Sequence, residues 1–411
     1  MAAPATDAFQ LTAAVSDLTA WLIQQGLEDA PVEEWLEECC ERLVAAGIPI
    51  LRVNVTTRAH HPEIGAVAFR WFRGGESEQF EFQRTGTVGD DYRLSPLYYL
   101  LINGKRELRQ RLDVPAPEHW FPIFDELVAL GATDYLAMKR FFLGTDHDQP
   151  VDPSKGAEGM TISIVTDAPG GFSEVALREL RALIAPLSLT LKSAANRRMA
   201  EDISAAYLGR DASQRVLSGA LRRGSCEAIP AVIWYFDLQG FTALSETLPG
   251  PDIIAMLNDY FAEAVDAVQS RGGNVLKFMG DGMLAIFNLD TMPDARAVAI
   301  EAAAALRDTV GQMNAARKAE GLPVTGFTLG LHAGDVLYGN IGGRTRLDFT
   351  VIGPAVNTTA RILGMSGPVG QNIVISSAVA QPLREVRPDL VSLGAYRLRS
   401  VTERQELFTL D

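Results

Sequence analysis

Two periods of hydrophobic and polar positions alternate along this chain, and together they outline its elements. From about residue 14 to 46 the apolar positions, Trp21, Leu22, Trp35, Leu36 and Leu43 among them, recur at helical spacing. The period then changes. ILRVNVTTR (50–58), GAVAFRWFR (65–73) and the cleanly alternating EQFEFQRT (78–85) predict strands. A helical patch near Phe121 to Leu130 precedes two more strands, YLAMKRFFL (135–143) and GMTISIVTD (159–167). APGG (168–171) is a turn, and Ser173 caps the helix that follows. That helix begins FSEVALRELRALIAPL and continues through LTLKSAANRRMAEDISAAYL, with a kink expected at Pro186. A helix of this length predicts a connector between two folded units, with fewer than three clean coiled-coil heptads.

The texture changes again near Ala228. AVIWYFD (231–237) reads as a buried strand and PDIIAMLNDYFAEAVDAVQS (251–270) as an amphipathic helix. GGNVLKF and MLAIF flank a hairpin tip, and DARAVAIEAAAALRDTVGQMNAARKA (294–319) is a run of strong helix formers. FTLGLHAG (327–334) and LDFTVIG (347–353) follow as strands. Then come the helix AVNTTARIL (355–363), the strand NIVIS (372–376), and a last strand pair around YRLRS (396–400) and ELFTL (406–410). The order β-α-β-β-α-β is the ferredoxin-like arrangement with additions after it, so the fold class is α+β in both halves.

Composition narrows the field. At 411 residues, 47% hydrophobic and 21% charged, the chain is long enough for two or three globular domains. Its net charge of −14 excludes nucleic acid as the main partner, since a phosphate backbone wants a basic face. The start, MAAPATDAFQ, lacks the basic and apolar regions of a secretory signal, and no segment reaches the ~18 apolar residues of a membrane span. Cys39, Cys40 and Cys226 are too few and too uneven for a disulfide framework; a cytoplasmic location is expected. Cys39 and Cys40 read as buried small hydrophobes and His60 and His61 as loop residues, although the sequence does not decide whether any of the four binds something.

The chemistry concentrates in KFMGDGMLAIF (277–287). A carboxylate between two glycines at a hairpin tip is first a turn, because Asp-Gly tolerates positive φ. Asp237, however, ends a strand that neighbours this hairpin in the ferredoxin-like order. Two close aspartates repel unless a cation lies between them, and Mg²⁺ held by one or two carboxylates plus substrate phosphates is the usual resolution. The backbone amides of Leu238, Gly240, Phe241 and Thr242, at a helix start, suit a phosphate.

FDLQGFT, KFMGDGMLAIF, HAGDVLYGNIG and FTVIGPAVNTTAR together resemble the catalytic domain of class III nucleotidyl cyclases, over about the last 180 residues. The resemblance implies an adenylate cyclase with two Mg²⁺ or Mn²⁺ ions bound by Asp237 and Asp281. It implies that Asn357 positions the ribose, that Arg361, one helical turn on, stabilises charge on the α-phosphoryl group, and that Lys277 and Thr350 read the base. A lysine donates to adenine N1 and a threonine oxygen accepts from N6; guanine reverses both, so Lys277 favours ATP. Thr350 stands where many members have aspartate and discriminates less strictly. Arg399, in YRLRSVTE, stands where many members have a lysine for the terminal phosphates. His332 reads as structural. The resemblance also implies a homodimer with active sites at the subunit interface. A guanylyl or unselective cyclase, or a catalytically silent dimeric scaffold, remains the alternative.

The first half, about residues 30–195, resembles a GAF domain, most of all in ISIVTDAPGGFSEVALRELRALI, which implies a small-molecule effector that the sequence does not name. YLGRDASQRVLSGALRRG (207–224) resembles the transducing element that precedes cyclase domains. The expected organisation is therefore a sensor (1–195), an overlapping connector and transducer (173–227) and a catalytic domain (228–411).

Overall fold

The computed structural model describes residues 5–59, 64–84, 89–115, 120–142, 149–152, 158–219, 222, 224–399, 401 and 403–411. His60 and His61 lie outside the described residues. The chain divides into two compact units, Met1–Ile203 and Ser204–Asp411. The division falls within the expected connector.

The first unit comprises helices α1 (Ala5–Leu27) and α2 (Val32–Ala45), strands β1 (Ile50–Arg58), β2 (Ile64–Phe72) and β3 (Glu78–Gln83), short helices α3 (Asp90–Arg93) and α4 (Pro96–Ile102), β4 (Glu107–Arg111), α5 (Pro122–Ala129), β5 (Asp134–Phe141) and β6 (Gly159–Thr166). Helix α6 (Glu174–Leu208) follows, 35 residues long with Pro186 inside it. The six strands form one antiparallel sheet in the order β3-β2-β1-β6-β5-β4. Alternation along the strands gives it two faces. Val53, Val55, Phe69, Trp71, Ile162 and Ile164 pack under α1, α2 and α6. Tyr135, Ala137 and Val165 pack under α4 and α5. The sequence pattern did not reveal α3, α4 and β4: SPLYYLLI is an apolar run too short to show a period, and ELRQR is a polar edge strand.

The second unit begins with α7 (Arg210–Leu217), β7 (Cys226–Leu238), α8 (Phe241–Thr247) and α9 (Gly250–Gln269). There follow β8 (Asn274–Met279), β9 (Gly282–Asn288), α10 (Ala295–Ala319), β10 (Phe327–Gly342), β11 (Leu347–Ile352), α11 (Pro354–Leu363), α12 (Ser366–Val369) and β12 (Ile373–Ser376). The last elements are α13 (Ser377–Ala380), a 3-10 turn, β13 (Leu390–Tyr396) and β14 (Gln405–Leu410). Strands β10-β7-β9-β8 lie side by side in ferredoxin-like order, extended by β12, β14 and β13, with β11 on the far part of β10. Met256, Tyr260 and Val268 of α9 and Ile300, Ala303 and Leu306 of α10 cover Val232, Trp234 and Phe236 on one face. Ile229, Ala231 and Ile233 meet Ala212, Phe349, Val351 and Ala355 on the other.

Two boundaries differ from the sequence reading. Strand β10 is 16 residues long and forms a hairpin with β11. The last strand pair is shifted: β13 ends at Tyr396, where the expected strand began, because Leu390 to Tyr396 is the segment that finds β14 as partner.

Candidate functional site

Strand pairing decides where the two aspartates meet. Asp237, near the end of β7, lies opposite Gly282, the first residue of β9, and Asp281 stands just before it at the hairpin tip. The Leu238 amide donates to the Asp281 carbonyl at 3.3 Å. Asp237 is half-buried, and its carboxyl is pushed up from 3.8 to about 6, chiefly by burial and then by the negative charge of Asp281. Tyr235, on the same face of β7, has its hydroxyl pKa raised by burial and by both aspartates. Two carboxylates at one end of the sheet, one of them with its pKa raised by burial and by the other's charge, are an arrangement that a cation would stabilise.

The glycines around Asp281 have separate tasks. Gly280, at φ +65°, makes the turn, whereas Asp281 and Gly282 do not adopt positive φ; the expected Asp-Gly turn is a Gly-Asp turn. Gly282 provides space. A Cβ there would lie 3.0 Å from Asp237 Oδ1 and 3.1 Å from the Phe236 carbonyl, close enough that these neighbours would have to give by a few tenths of an ångström.

A second group forms around Lys277 on β8. Its ammonium donates to Asp348 at 2.7 Å across 71 positions of sequence. Asp348 and Thr350 are two apart on β11 and so share a face. Thr350 is buried, and its hydroxyl has no hydrogen-bond partner. An unsatisfied buried hydroxyl costs free energy unless something supplies a partner. Lys277 and Thr350 are thus brought to one region by Asp348, which sequence reasoning missed; its spacing of two from Thr350 was the only signal. Among the described residues no hydrogen bond or ion pair joins this group to the carboxylate pair.

Helix α11 carries Asn357, exposed, and Arg361, half-buried and without an ion pair among the described residues. The helix sits tightly on β10: a Cβ at Gly330 would meet the Leu363 amide nitrogen at 2.9 Å and the Thr359 carbonyl at 3.0 Å. That close approach fixes the position of the Asn357–Arg361 face. The expected phosphate-binding amides narrow in number. The Leu238 amide is used by Asp281 and that of Gln239 by Gly326, at 2.9 Å, which leaves Gly240, Phe241 and Thr242 at the start of α8. Arg399 is exposed in a turn, not on a strand as expected, because β13 ends three residues before it. His332 on β10 pairs its Nδ1 with Ser376 Oγ at 2.9 Å, and burial lowers its pKa. Cys39 and Cys40 are buried, and burial raises both thiols, Cys39 to about 12.

The donor set suits a divalent ion such as Mg²⁺: hard oxygen ligands, two carboxylates, and a half-open position for phosphate oxygens and water. Among the described residues no helix is long and apolar enough to cross a membrane.

Residues 227–411 match the family described as "Adenylate and Guanylate cyclase catalytic domain". An adenylate cyclase of Anabaena cylindrica is 34% identical over 164 residues, 39% of this chain and 32% of that protein. Adenylate cyclase 1 of Rhizobium meliloti (strain 1021) is 29% identical over 153 residues, 37% of this chain and 23% of that one. The chain thus spans about a third or less of the length of these two curated relatives. The crystal structure of the guanylyl cyclase Cya2 is similar at 27% identity and a TM-score of 0.40, covering 45% of this chain and 93% of that one. Residues 227–411, rather less than half of the chain, are thus the part that is similar to adenylate and guanylate cyclase catalytic domains.

Proposed function

We propose that the chain is an adenylate cyclase, converting ATP to 3′,5′-cyclic AMP and pyrophosphate. The observation that carries the base choice is the Lys277 group. The Lys277 ammonium is bound to Asp348, two residues along β11 from the buried Thr350 hydroxyl that lacks a partner, and this donor and this acceptor are the types that adenine N1 and N6 require. Asp348 holds the ammonium at the strand that carries Thr350. Asp237 and Asp281 would hold two Mg²⁺ or Mn²⁺ ions, which when bound lower the pKa of the ribose 3′-hydroxyl and neutralise the triphosphate. The chain's own residues do the rest. Asn357 orients the ribose so that its 3′-oxygen faces the α-phosphorus in line with the departing pyrophosphate. Arg361 donates to the α-phosphoryl oxygens as their charge grows. The amides of Gly240, Phe241 and Thr242 receive phosphate oxygens, and Arg399 is the outermost cation for the terminal phosphates.

The active sites of this reading lie between two copies of the chain, each copy giving its carboxylate pair to one site and its Lys277 group to the other. The first unit, a six-stranded antiparallel sheet with helices on both faces, is read as a GAF-like sensor for a small-molecule effector. The transducing segment is supported by its contacts within the second unit. Asp211 accepts from the Tyr338 hydroxyl, which also accepts from Asn274 at 3.0 Å, and Arg215 lies over the Tyr338 ring. Movement of α7 is thereby passed to the start of β8, three residues before Lys277.

The test is incubation of the purified chain with ATP or GTP and Mg²⁺ or Mn²⁺, with products identified by chromatography. Cyclic AMP that vanishes in Asp281→Ala supports the reading. Cyclic GMP as the main product defeats the base assignment, and no cyclic product from the chain or from its 204–411 fragment defeats the enzymatic one. Lys277→Glu should lower ATP use by roughly 10- to 100-fold relative to GTP, the equivalent of the ~1–3 kcal/mol cost of one unsatisfied hydrogen-bond partner.

A further inference from the structure

The sheet of the first unit has one region that its helices do not explain. On β1, Arg52, Asn54 and Thr56 alternate with the core-facing Val53 and Val55. Register sets Asn54 between Arg70 of β2 and Ser163 of β6, and Arg52 opposite Phe72. Arg52 and Arg70 are therefore diagonal neighbours on one face, near enough for the two guanidinium groups to feel each other's charge.

A structural arginine in this unit looks different. Arg109 donates from Nε at 3.0 Å and from its terminal nitrogen at 2.8 Å to the fully buried Asp134. The Nε atoms of Arg52 and Arg70 are both buried and both lack any hydrogen-bond partner. Glu78, the carboxylate beside Arg70, is 3.6 Å away, mostly exposed and outside hydrogen-bond range. Glu126 of α5 acts on Arg52 only through its field. Burial first, and the charge of Arg70 next, lower the Arg52 pKa from its ordinary value. Two like charges with unused donors, over a floor of Asn54 and the buried Ser163, are what an anion would satisfy. The rings of Phe72, 5.4 Å from the Arg52 guanidinium, and Phe80, 4.4 Å from that of Arg70, give the region an apolar rim.

We propose that this face of the first unit binds a small organic oxyanion, a carboxylate or a phosphate ester, between Arg52 and Arg70, with Asn54 beneath it and Phe72 and Phe80 against its apolar part. The inference gives the effector of the sensor reading a place and a chemical class. It is tested without nucleotide, so it stands or falls separately from the cyclase assignment.

The experiment is thermal unfolding of the full chain with inorganic phosphate, succinate or benzoate, each against chloride at equal ionic strength. At saturation one of the three raises the melting temperature by roughly 2 °C or more. Phosphate alone points to a phosphate ester, and succinate or benzoate to a carboxylate. Arg52→Gln and Arg70→Gln each abolish that rise. In the absence of the anion neither variant melts lower than the parent, because each relieves a like-charge contact. No rise with any of the three anions overturns the proposal, as does a rise that survives in either variant. A lower melting temperature of either anion-free variant would mean that its arginine serves the fold, and overturns it too.

Discussion

Replacing Asp237 with asparagine should make the metal-free protein more stable while destroying its proposed activity. The carboxyl is raised from 3.8 to about 6 by burial and by Asp281. A difference of about 2, at 1.36 kcal/mol per pKa unit, is an upper bound of ~3 kcal/mol. Asp237 is only half-buried, and solvent screening reduces this to about 1 kcal/mol. The sign follows from linkage: the folded state binds this proton more tightly than the unfolded chain does. The ionised carboxylate therefore costs stability progressively as pH rises from about 4 through about 6, and the cost is absent below pH 4. Asparagine has nearly the same shape and no charge. In a chelator at pH 8, Asp237→Asn should melt about 2–4 °C higher than the parent, as expected for ~1 kcal/mol in a unit of this size. At pH 4 the two should melt together. Added Mg²⁺ with a non-reactive nucleotide should stabilise the parent and leave the variant unchanged. A variant that melts lower at pH 8, or whose advantage persists at pH 4, would refute the reasoning.

Other outcomes follow from the same contacts. Gly282→Ala pushes a methyl group against Asp237 Oδ1, so cyclase turnover should fall at least ~10-fold, read in the nucleotide assay, with less than ~2 kcal/mol lost in chemical denaturation. Asp348→Asn should raise the KM for ATP roughly 2- to 5-fold by freeing Lys277. It should change the melting temperature little, since the pair is partly exposed and such pairs contribute less than ~1 kcal/mol. Iodoacetamide at pH 8 should label Cys226, which is exposed, and leave Cys39 and Cys40 unmodified until the protein is unfolded; mass spectrometry reads one adduct against three.

Periodicity and residue type were enough, in the sequence alone, for the ferredoxin-like order, the GDG hairpin and the Asn357–Arg361 helix face, because each depends on neighbours within about one element. The convergence of Asp237 with Asp281 followed from that order. Tertiary structure alone decided the rest. Asp348 reaches Lys277 across 71 positions, Gly282 is glycine because of a carboxylate on another strand, and Arg399 leaves its strand because β14 pairs with an earlier segment. Arg52 and Arg70 are ordinary strand residues until β1 and β2 pair in one register. The physical reason is common to all four. Local preference selects the elements, but contact between charges, and the space left for a side chain, arise only when distant strands come within a few ångströms of each other.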